Sequence, residues 1–398
     1  MFCGAGGFSE GARQAGFRVK WGIDKDDSSI ETFLYNHHNA TVYNMEIDEF
    51  MSKKIRDAFH VDVLLAAPPC QGFTGANTRG NIIDMTTNMI LVMNIPQALD
   101  ILRPKVLVFE NVKGFFNQKK SDEIYKLFVN DLLDIGYKIK TKILKATDFG
   151  ICQRRERFIM LAVPTESNFP CWPEPTHYIN SEVSDQVRAN YREMNLLPTP
   201  TVDVAFRGLT AATPNMNYIK TVPYHLRRLK SNQIPSTVLC TISPGWDNIH
   251  PTIFRYISPR ESARLQSFSD TYEFKGNLAS QYRQVGNSVP PLLAKAIIKE
   301  VKFEIVTLLL IPGWDNIHPT IFRYISPRES ARLQSFSDTY EFKGNLASQY
   351  RQGNSNTITD VILRFLIDHD EIVEIVETMV KIVEQIKIRR FRINNSKL

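Results

Sequence analysis

Cysteine is sparse and scattered in this chain of 398 residues. No two cysteines form a CxxC pair, so the sequence predicts neither a disulfide framework nor a zinc site, and it favours a reducing compartment. Apolar runs long enough to span a membrane are missing, and so is a signal-peptide pattern, so no membrane association is expected. No GKS or GKT follows the early glycines, which disfavours a triphosphate-binding loop. The cysteines are Cys3, Cys70, Cys152, Cys171 and Cys240.

A large excess of one charge is absent too. The 48 basic and 42 acidic side chains give a net charge of +6, which permits a polyanionic partner without requiring one. The length suffices for two domains and a large core, and the hydrophobic share of 43% is typical of a globular protein.

The first 163 residues alternate between strand-like and helix-like patterns. Strands are predicted over 19–23, 61–67, 106–109, 137–146 and 158–163. Helices are predicted over 9–15, from the end of the first strand to about residue 36, over 88–102 and over 122–135. This alternation predicts an α/β fold with a doubly wound, mostly parallel sheet.

The composition changes at Pro164. Nine of the 21 prolines lie between Pro164 and Ser243, and residues 204–243 carry five basic side chains and no acid. We therefore expect residues 164–243 to form a small irregular domain with a basic side, although a solvated proline-rich loop region fits the composition equally well. The basic residues are Arg207, Lys220, Arg227, Arg228 and Lys230.

An exact internal repeat follows. Residues 244–284 recur without a change as residues 312–352, which indicates a recent duplication or an exon used twice rather than a solenoid. The first copy continues into VGNSVPP, and the second loses the valines and both prolines. We expect residues 244–300 to return to the first domain, and the duplicate to pack poorly. The tail, 356–398, has a heptad spacing over about two heptads, so it is predicted to be helical and to pack on the protein's own surface.

Two groups of residues point to a ligand site at one edge of the sheet. Gly4, Gly6 and Gly7 precede a helix, where glycines allow a tight turn and a close backbone approach to a ligand. Asp24 ends the next strand, where a carboxylate can bind ribose hydroxyls. Asp26 and Asp27 nearby are equally well explained as helix caps.

Cys70 in PPCQGF and Glu110 in ENV each follow an apolar strand. Because parallel strands end at the same edge, a thiol nucleophile and a proton-donating or hydrogen-bonding carboxylate are expected side by side. Taken singly, an inert cysteine and a surface acid or helix cap are simpler explanations. Farther along, QRRER alternates along a strand, which places Arg155 and Arg157 on one face, where they could bind phosphate or a base carbonyl.

These motifs, in this order, resemble those of the DNA cytosine-5 methyltransferase family. FCGAGGFS is similar to its cofactor loop, PPCQGF to its nucleophile loop, ENV to its catalytic glutamate motif and QRRER to its arginine motif. RYISPRE with ARLQ (255–266) and YRQVGNSVP (282–290) are similar to its last two motifs. The resemblance covers residues 2–297. It implies a Rossmann-like fold, an activity that depends on S-adenosyl-L-methionine, and a target recognition domain at 164–243.

The resemblance also implies roles for individual residues. Cys70 would add to carbon 6 of a flipped-out cytosine, Glu110 would bind the ring, and Arg157 with Arg155 would bind the base carbonyl. The expected substrate is double-stranded DNA, acted on by a monomer in the nucleus, or in the cytoplasm of a bacterium. The positions that match cofactor contacts are Phe2, Gly4, Gly6, Asp24, Asn44, Asn287 and Val289.

Two departures keep other hypotheses open. The chain starts at Met1, so most of the family's first, central strand is expected to be missing, at a cost of several kcal/mol against a typical stability of about 5–15 kcal/mol. Asn44 stands where the family has an acid, with Asp48 as a substitute. The alternatives are a tRNA cytosine-5 methyltransferase and an inactive nucleic-acid-binding or cofactor-binding relative. Gly72, where the tRNA branch has proline, favours DNA.

Overall fold

The structure, a computed structural model, describes residues 1–58, 60–69, 82–117, 122–219, 228–241 and 249–310. The chain divides into two compact units, Met1–Glu304 and Ile305–Leu398. Cys70, the duplicate 312–352 and the tail 356–398 lie outside the described residues, as do Lys220 and Arg227.

The first unit alternates strands and helices, as the sequence predicts. Its strands are β1 (Trp21–Asp24), β2 (Thr41–Asn44), β3 (Val63–Ala66), β4 (Val106–Val112), β5 (Tyr137–Lys145), β6 (Glu156–Pro164), β7 (His177–Tyr178) and β8 (Leu197–Pro198). The helices are α1 (Gly7–Gln14), α2 (Asp27–Asn36), α3 (Ile47–Lys53), α4 (Ile82–Leu102), α5 (Gly114–Asn117), α6 (Asp122–Asp134), α7 (Asp185–Glu193), α8 (Val202–Ala205), α9 (Pro259–Leu265), α10 (Leu278–Asn287) and α11 (Pro291–Leu310), which runs past Glu304. Short 3-10 turns cover Ile55–Asp57, Ala146–Phe149 and Asn180–Glu182.

The strands form a two-stranded sheet, β1-β2, and a four-stranded sheet of order β3-β4-β6-β5. Pairing is parallel in β1-β2 and β3-β4, but β6 is antiparallel to both β4 and β5. The α/β class is confirmed, and the expectation of parallel pairing fails for β5 and β6. The link between them, residues 146–155, contains a 3-10 turn and is too short for the crossover helix that a parallel pair needs.

The start of the chain lies between the two sheets. The amino group of Met1 donates to the carbonyl of Leu65 at 2.6 Å, and the backbone N–H of Cys3 donates to Ile23 at 2.9 Å. Phe2, between them, has a positive φ of 54°, so the extended backbone ends there. Residues 1–3 therefore take the position of a short central strand.

The core lies on the helical side of the larger sheet. Four phenylalanines from β4, α5, α6 and β6 pack in tilted and edge-to-face pairs with ring centroids 5.1–6.3 Å apart: Phe109, Phe115, Phe128 and Phe158. All four are nearly inaccessible to solvent, so each contributes the full free energy of aromatic burial.

A second apolar cluster joins the segment after residue 249 to the N-terminal loop. Phe268, Tyr272 and Phe274 are buried together, and the Tyr272 hydroxyl donates to the carbonyl of Ala5. Gly11 of α1 lies so close to α11 that a Cβ there would be 2.3 Å from Cβ of Ala294. This packing places the residues that follow α10 beside the glycine loop.

In the described part of residues 164–243, the short pair β7-β8 and the helices α7 and α8 are joined by loops. Across the part of the chain that is described, no helix has both the length and the hydropathy that a membrane span requires.

Candidate active site

The glycine loop is folded around the carboxylate of Asp24. Gly4 and Gly6 have φ of +50° and +89°, a region that other residues rarely occupy. The N–H of Gly4 donates to Oδ2 of Asp24 at 2.8 Å. A Cβ at Gly4 would meet no atom within 4 Å, so the loop backbone at this point faces open space. A ligand can therefore approach the main chain of Gly4 closely.

Gly6 has a structural reason to be glycine. A Cβ at this position would lie 2.5 Å from the Tyr272 hydroxyl, so the residue faces the buried aromatic cluster and is not among those lining the cavity described below. Gly6 was predicted to contact the cofactor, but in the structure it allows the turn into α1 and does not face the cavity.

The end of α10 and the residues that follow it lie opposite the loop and include Asn287 and Val289. A Cβ on Gly7 would lie 2.4 Å from the carbonyl oxygen of Val289, so the two backbones are in close contact. The guanidinium of Arg155 donates to the carbonyls of Gly286 at 3.2 Å and Ser288 at 3.0 Å. Arg155 thus fixes the backbone on both sides of Asn287.

The arginine motif alternates as its sequence predicts. Gln153 and Arg155 point inward and are almost fully buried, whereas Arg154 is half exposed and forms an ion pair with Glu182 at 2.6 Å. Gln153 donates to Gln266 at 2.6 Å and accepts from the N–H of Val238, which ties the residues before β6 to the end of α9 and to the proline-rich region.

Glu110, in the second half of β4, and Arg157 of β6 form a buried ion pair. Nε of Arg157 lies 3.0 Å from Oε1 of Glu110, and the two side chains are 12% and 9% exposed. Oε1 nevertheless has no hydrogen bond of good geometry from any described residue. A buried carboxylate oxygen without an aligned donor is costly, and it is positioned to accept a hydrogen bond from a ligand.

The nucleophile loop begins at the same edge. β3 and β4 run parallel with Ala66 opposite Phe109, so Ala67, directly after β3, lies at the level of Glu110 in the neighbouring strand. Nδ2 of Asn111 lies 3.5 Å from the carbonyl of Pro68, at the long end of the hydrogen-bond range. The described chain stops at Pro69, one residue before Cys70.

One cavity of about 540 Å³ joins these groups. That volume is typical of small-molecule sites. The predicted site residues that line it are Phe2, Gly4, Asp24, Glu110, Arg155, Arg157, Asn287 and Val289.

Asn44, which was predicted to contact the cofactor, does not line this cavity. Its side-chain amide donates to Asp27 at 2.7 Å on the exposed side of β2, and the cavity is lined instead by Met45 and Glu46. Asp48 is no substitute, because it accepts from Asn94 on α4 and does not line the cavity. Glu46 is the acid that sequence reasoning missed, two positions after Asn44.

Asp26 is the N-cap of α2 and accepts from the N–H of Ser29, as its capping interpretation predicts. It also pairs with Arg283 of α10 at 2.8 Å. Burial alone would raise the pKa of Asp26, but the bonds from Ser29 and Arg283 outweigh it and hold the pKa below its usual value. This pair joins α2 to α10 at the rim of the cavity.

Comparison with known proteins agrees with this geometry. The model of the C-5 cytosine-specific DNA methylase family matches residues 1–303. The chain belongs to this family. It is a DNA (cytosine-5-)-methyltransferase, and the methyl donor of the family is S-adenosyl-L-methionine.

The curated relatives are bacterial and eukaryotic. The Type II methyltransferase M1.HphI of Haemophilus parahaemolyticus is 29% identical over 324 residues, covering 76% of this chain and 85% of that protein. DNA (cytosine-5)-methyltransferase 1 of Mus musculus is 25% identical, and the match covers 76% of this chain but 28% of the mouse protein.

Two solved structures share the fold. A DNA modification methyltransferase encoded in an E. coli prophage matches with a TM-score of 0.58 and 22% identity, over 77% of this chain and 98% of that one. The Dnmt2 methyltransferase of S. pombe matches with a TM-score of 0.54 and 19% identity, over 77% and 97%.

The methyl donor suits the residues present. Asp24 at the end of β1 would accept hydrogen bonds from its ribose hydroxyls, and the backbone of the Gly4 loop and of the residues around Asn287, which line the same cavity, would hold its amino-acid part.

Proposed function

We propose that this chain methylates carbon 5 of cytosine in double-stranded DNA, as a monomer, through a covalent adduct between Cys70 and a flipped-out base. The observation that carries the proposal is the buried pair of Glu110 and Arg157 at the strand edge where the nucleophile loop begins. The pair shares one cavity with Gly4 and Asp24, so a base and a methyl donor could meet there.

The proposed chemistry starts with the base out of the stack, because carbon 6 cannot be attacked within the duplex. The thiolate of Cys70 forms a bond to carbon 6, and the electron pair of the ring double bond moves to carbon 5. Glu110 binds the ring nitrogen and amino group, and stabilises the charge that develops during addition. Arg157 donates to the carbonyl oxygen of the base.

The cofactor, when bound, would supply an electrophilic methyl group: carbon 5 would form the new bond with its electron pair as the methyl–sulfur bond breaks and that pair stays on sulfur. A base then removes the proton from carbon 5, and the returning electron pair restores the ring double bond and expels the thiolate of Cys70. The protein's residues thus contribute addition, orientation and charge stabilisation.

We assign the two arginines different roles. Both terminal nitrogens of Arg155 already donate to backbone carbonyls, whereas Arg157 lies against the catalytic glutamate. Arg157 is therefore the proposed contact of the base carbonyl, and Arg155 is a positioning residue for the cofactor segment.

The irregular domain is the proposed DNA-reading part. Arg228 donates to the carbonyl of Thr252, and its guanidinium lies 5.2 Å from the ring centre of Phe254. Arg207 and Lys230 lie in the same acid-free stretch. Such side chains bind phosphates irrespective of sequence, so they supply affinity rather than specificity.

The test is a methyl-transfer assay with radiolabelled S-adenosyl-L-methionine on duplex DNA and on tRNA. The expected result is label in cytosine of DNA, lost in Cys70→Ala, while calorimetry shows cofactor binding nearly unchanged. Activity retained by Cys70→Ala would refute the covalent mechanism, and label in tRNA alone would change the substrate. Cofactor binding without transfer to either would indicate an inactive relative. The relatives are both bacterial and eukaryotic, so the nuclear location stays a prediction.

A further inference from the structure

The carbonyl of Ala5 in the glycine loop is held by a side chain from the C-terminal part of the first unit. It accepts a hydrogen bond from the hydroxyl of Tyr272, 267 residues along the chain. Ala5 and Tyr272 are 2% and 3% exposed, so the bond is shielded from water. A buried carbonyl that loses a donor cannot replace it with solvent, so loss of this hydroxyl would destabilise the loop at Ala5.

This bond fixes the orientation of one peptide group in the loop. The Ala5–Gly6 peptide accepts from Tyr272 through its carbonyl and donates through its N–H to the carbonyl of Cys3 at 2.9 Å. Glycines flank Ala5 on both sides, and glycine has more backbone freedom to lose than any other residue. A restraint on the peptide between them therefore removes freedom that the cofactor would otherwise have to remove when it binds.

Tyr272 is itself held firmly. Its carbonyl accepts from the guanidinium of Arg260, which is fully buried and also donates to the carbonyl of Ser269 at 2.7 Å. The ring of Tyr272 packs against Phe268 and Phe274, whose ring centroids are 4.9 and 5.6 Å away. The tyrosine therefore offers the loop a hydroxyl whose position is set by the packing of the surrounding segment.

The hydroxyl of Tyr272 acts from behind the loop. Gly4 and Ala5 line the cavity, whereas Tyr272 is not among its lining residues. Nε2 of the buried ring of His37 lies 3.4 Å from the hydroxyl oxygen. Because the single hydroxyl proton is donated to Ala5, His37 can bond this oxygen only as a donor, which favours that direction of the O–H. Tyr272 is thus placed to hold the loop without touching a ligand in the cavity.

We propose that Tyr272 is a positioning residue for the cofactor: its hydroxyl orders the Ala5–Gly6 peptide, so that the backbone of the glycine loop is in place before S-adenosyl-L-methionine binds. The inference rests on the proposed contact of this loop with the amino-acid part of the cofactor. Tyr272→Phe keeps the ring and removes only the hydroxyl, so part of the ordering must then take place on binding. We expect the affinity for S-adenosyl-L-methionine to fall about fivefold.

Tyr137→Phe is the matched control. Tyr137 is 2% exposed, its hydroxyl donates to the carbonyl of Pro104 at 2.7 Å, and it does not line the cavity. Each substitution removes one buried hydroxyl that donates to a carbonyl, so each should lower the Tm of the full chain by about 2–4 °C. Calorimetry should show the increase in the Kd of S-adenosyl-L-methionine for Tyr272→Phe alone, and the Kd for Tyr137→Phe should stay within about twofold of that of the unaltered chain.

A second ligand shows which part of the site the hydroxyl serves. 5′-Methylthioadenosine has the adenosine part of the cofactor and lacks its amino-acid part. Asp24, the proposed ribose acceptor, is also bonded by the N–H of Asp26 at 3.1 Å, so the adenosine contacts should survive the substitution. The Kd of 5′-methylthioadenosine, measured by the same titration, should therefore differ by less than about twofold between Tyr272→Phe and the unaltered chain.

An unchanged Kd of S-adenosyl-L-methionine in Tyr272→Phe would overturn the proposal. Equal weakening of both ligands, or equal weakening in Tyr137→Phe, would mean a general loss of stability and would overturn it as well. Only binding is measured, so a chain that binds the cofactor without methyl transfer would fail the proposed function and still support this inference if the Kd values differ as expected. An unaltered chain that does not bind the cofactor would overturn both.

Discussion

Replacement of Arg155 by methionine separates the two roles that an arginine in this motif can have. The guanidinium is 2% exposed and donates to the carbonyls of Gly286 and Ser288, and methionine keeps the apolar stem while it removes both donors. A hydrogen bond from a charged group contributes about 1.5–3 kcal/mol, and buried carbonyls would be left with fewer donors. We expect the free energy of unfolding to fall by about 3–5 kcal/mol.

The same change should weaken cofactor binding. Asn287 lies between the two carbonyls, so without Arg155 the segment that carries Asn287 and Val289 must be ordered when the cofactor binds. Ordering one residue's backbone costs about 1–2 kcal/mol, and 1.4 kcal/mol is tenfold in affinity. Calorimetry should therefore show about tenfold weaker binding of S-adenosyl-L-methionine, with turnover at saturation changed only a few fold.

Arg154→Met is the matched control. Its ion pair with Glu182 is about half exposed on both sides, so the loss should stay below about 1 kcal/mol and cofactor affinity should not change. The reasoning is refuted if Arg155→Met leaves cofactor affinity intact and abolishes turnover. That result would restore Arg155 as a contact of the base, which is the role that the family resemblance implies.

Two further predictions concern the packing behind the site. Gly286→Ala should lower the free energy of unfolding by about 1–3 kcal/mol in urea denaturation, because the added Cβ would lie 2.3 Å from the backbone of Leu239 and Cys240. An unchanged free energy of unfolding would show that the backbone at Leu239 and Cys240 shifts to make room for the methyl group. Burial lowers the pKa of His37, which lies against Phe33, so the folded state binds its proton less readily than the unfolded chain does. Stability should be constant above the ordinary value of about 6.5 and fall below it, by at most about 1.4 kcal/mol per pH unit for this group. His37→Gln should remove that part of the slope, and an unchanged slope would assign it to other histidines.

The elements of the first unit could be predicted from sequence because their patterns are local. The apolar strands at 106–109 and 158–163 and the alternation within QRRER depend on side-chain period alone, and the structure has them as predicted. The orientation of β5 and β6 could not be predicted in this way, because it depends on the length of their link and on the order of the strands in the sheet. The sequence pattern of a buried antiparallel strand is the same as that of a parallel one.

At the site, residue type was a better guide than position. Glu110 and Arg157 were identified from two separate motifs, and the structure places them 3.0 Å apart. Asn44 was chosen by its place in a motif, but its side chain lies against Asp27, and Glu46, which lies past the end of β2, lines the cavity instead. The role of Arg155 depends on Gly286 and Ser288, which are more than 130 residues away and carry no sequence signal of that contact.

The identical copies at 244–284 and 312–352 are not equivalent, because what completes the domain comes after the first copy. Val285 is fully buried, the backbone of Val289 contacts Gly7, and Pro291 starts α11, whose next turn packs on Gly11. The second copy lacks the counterparts of these valines and prolines. Deletion of residues 311–398 should therefore leave the Tm unchanged and the Kd of the cofactor within about twofold of that of the full chain. Val289→Asp should lower the Tm and weaken cofactor binding, because it places a charge in a buried position. Unfolding of the deleted chain would mean that the second copy, and not the first, supplies this packing.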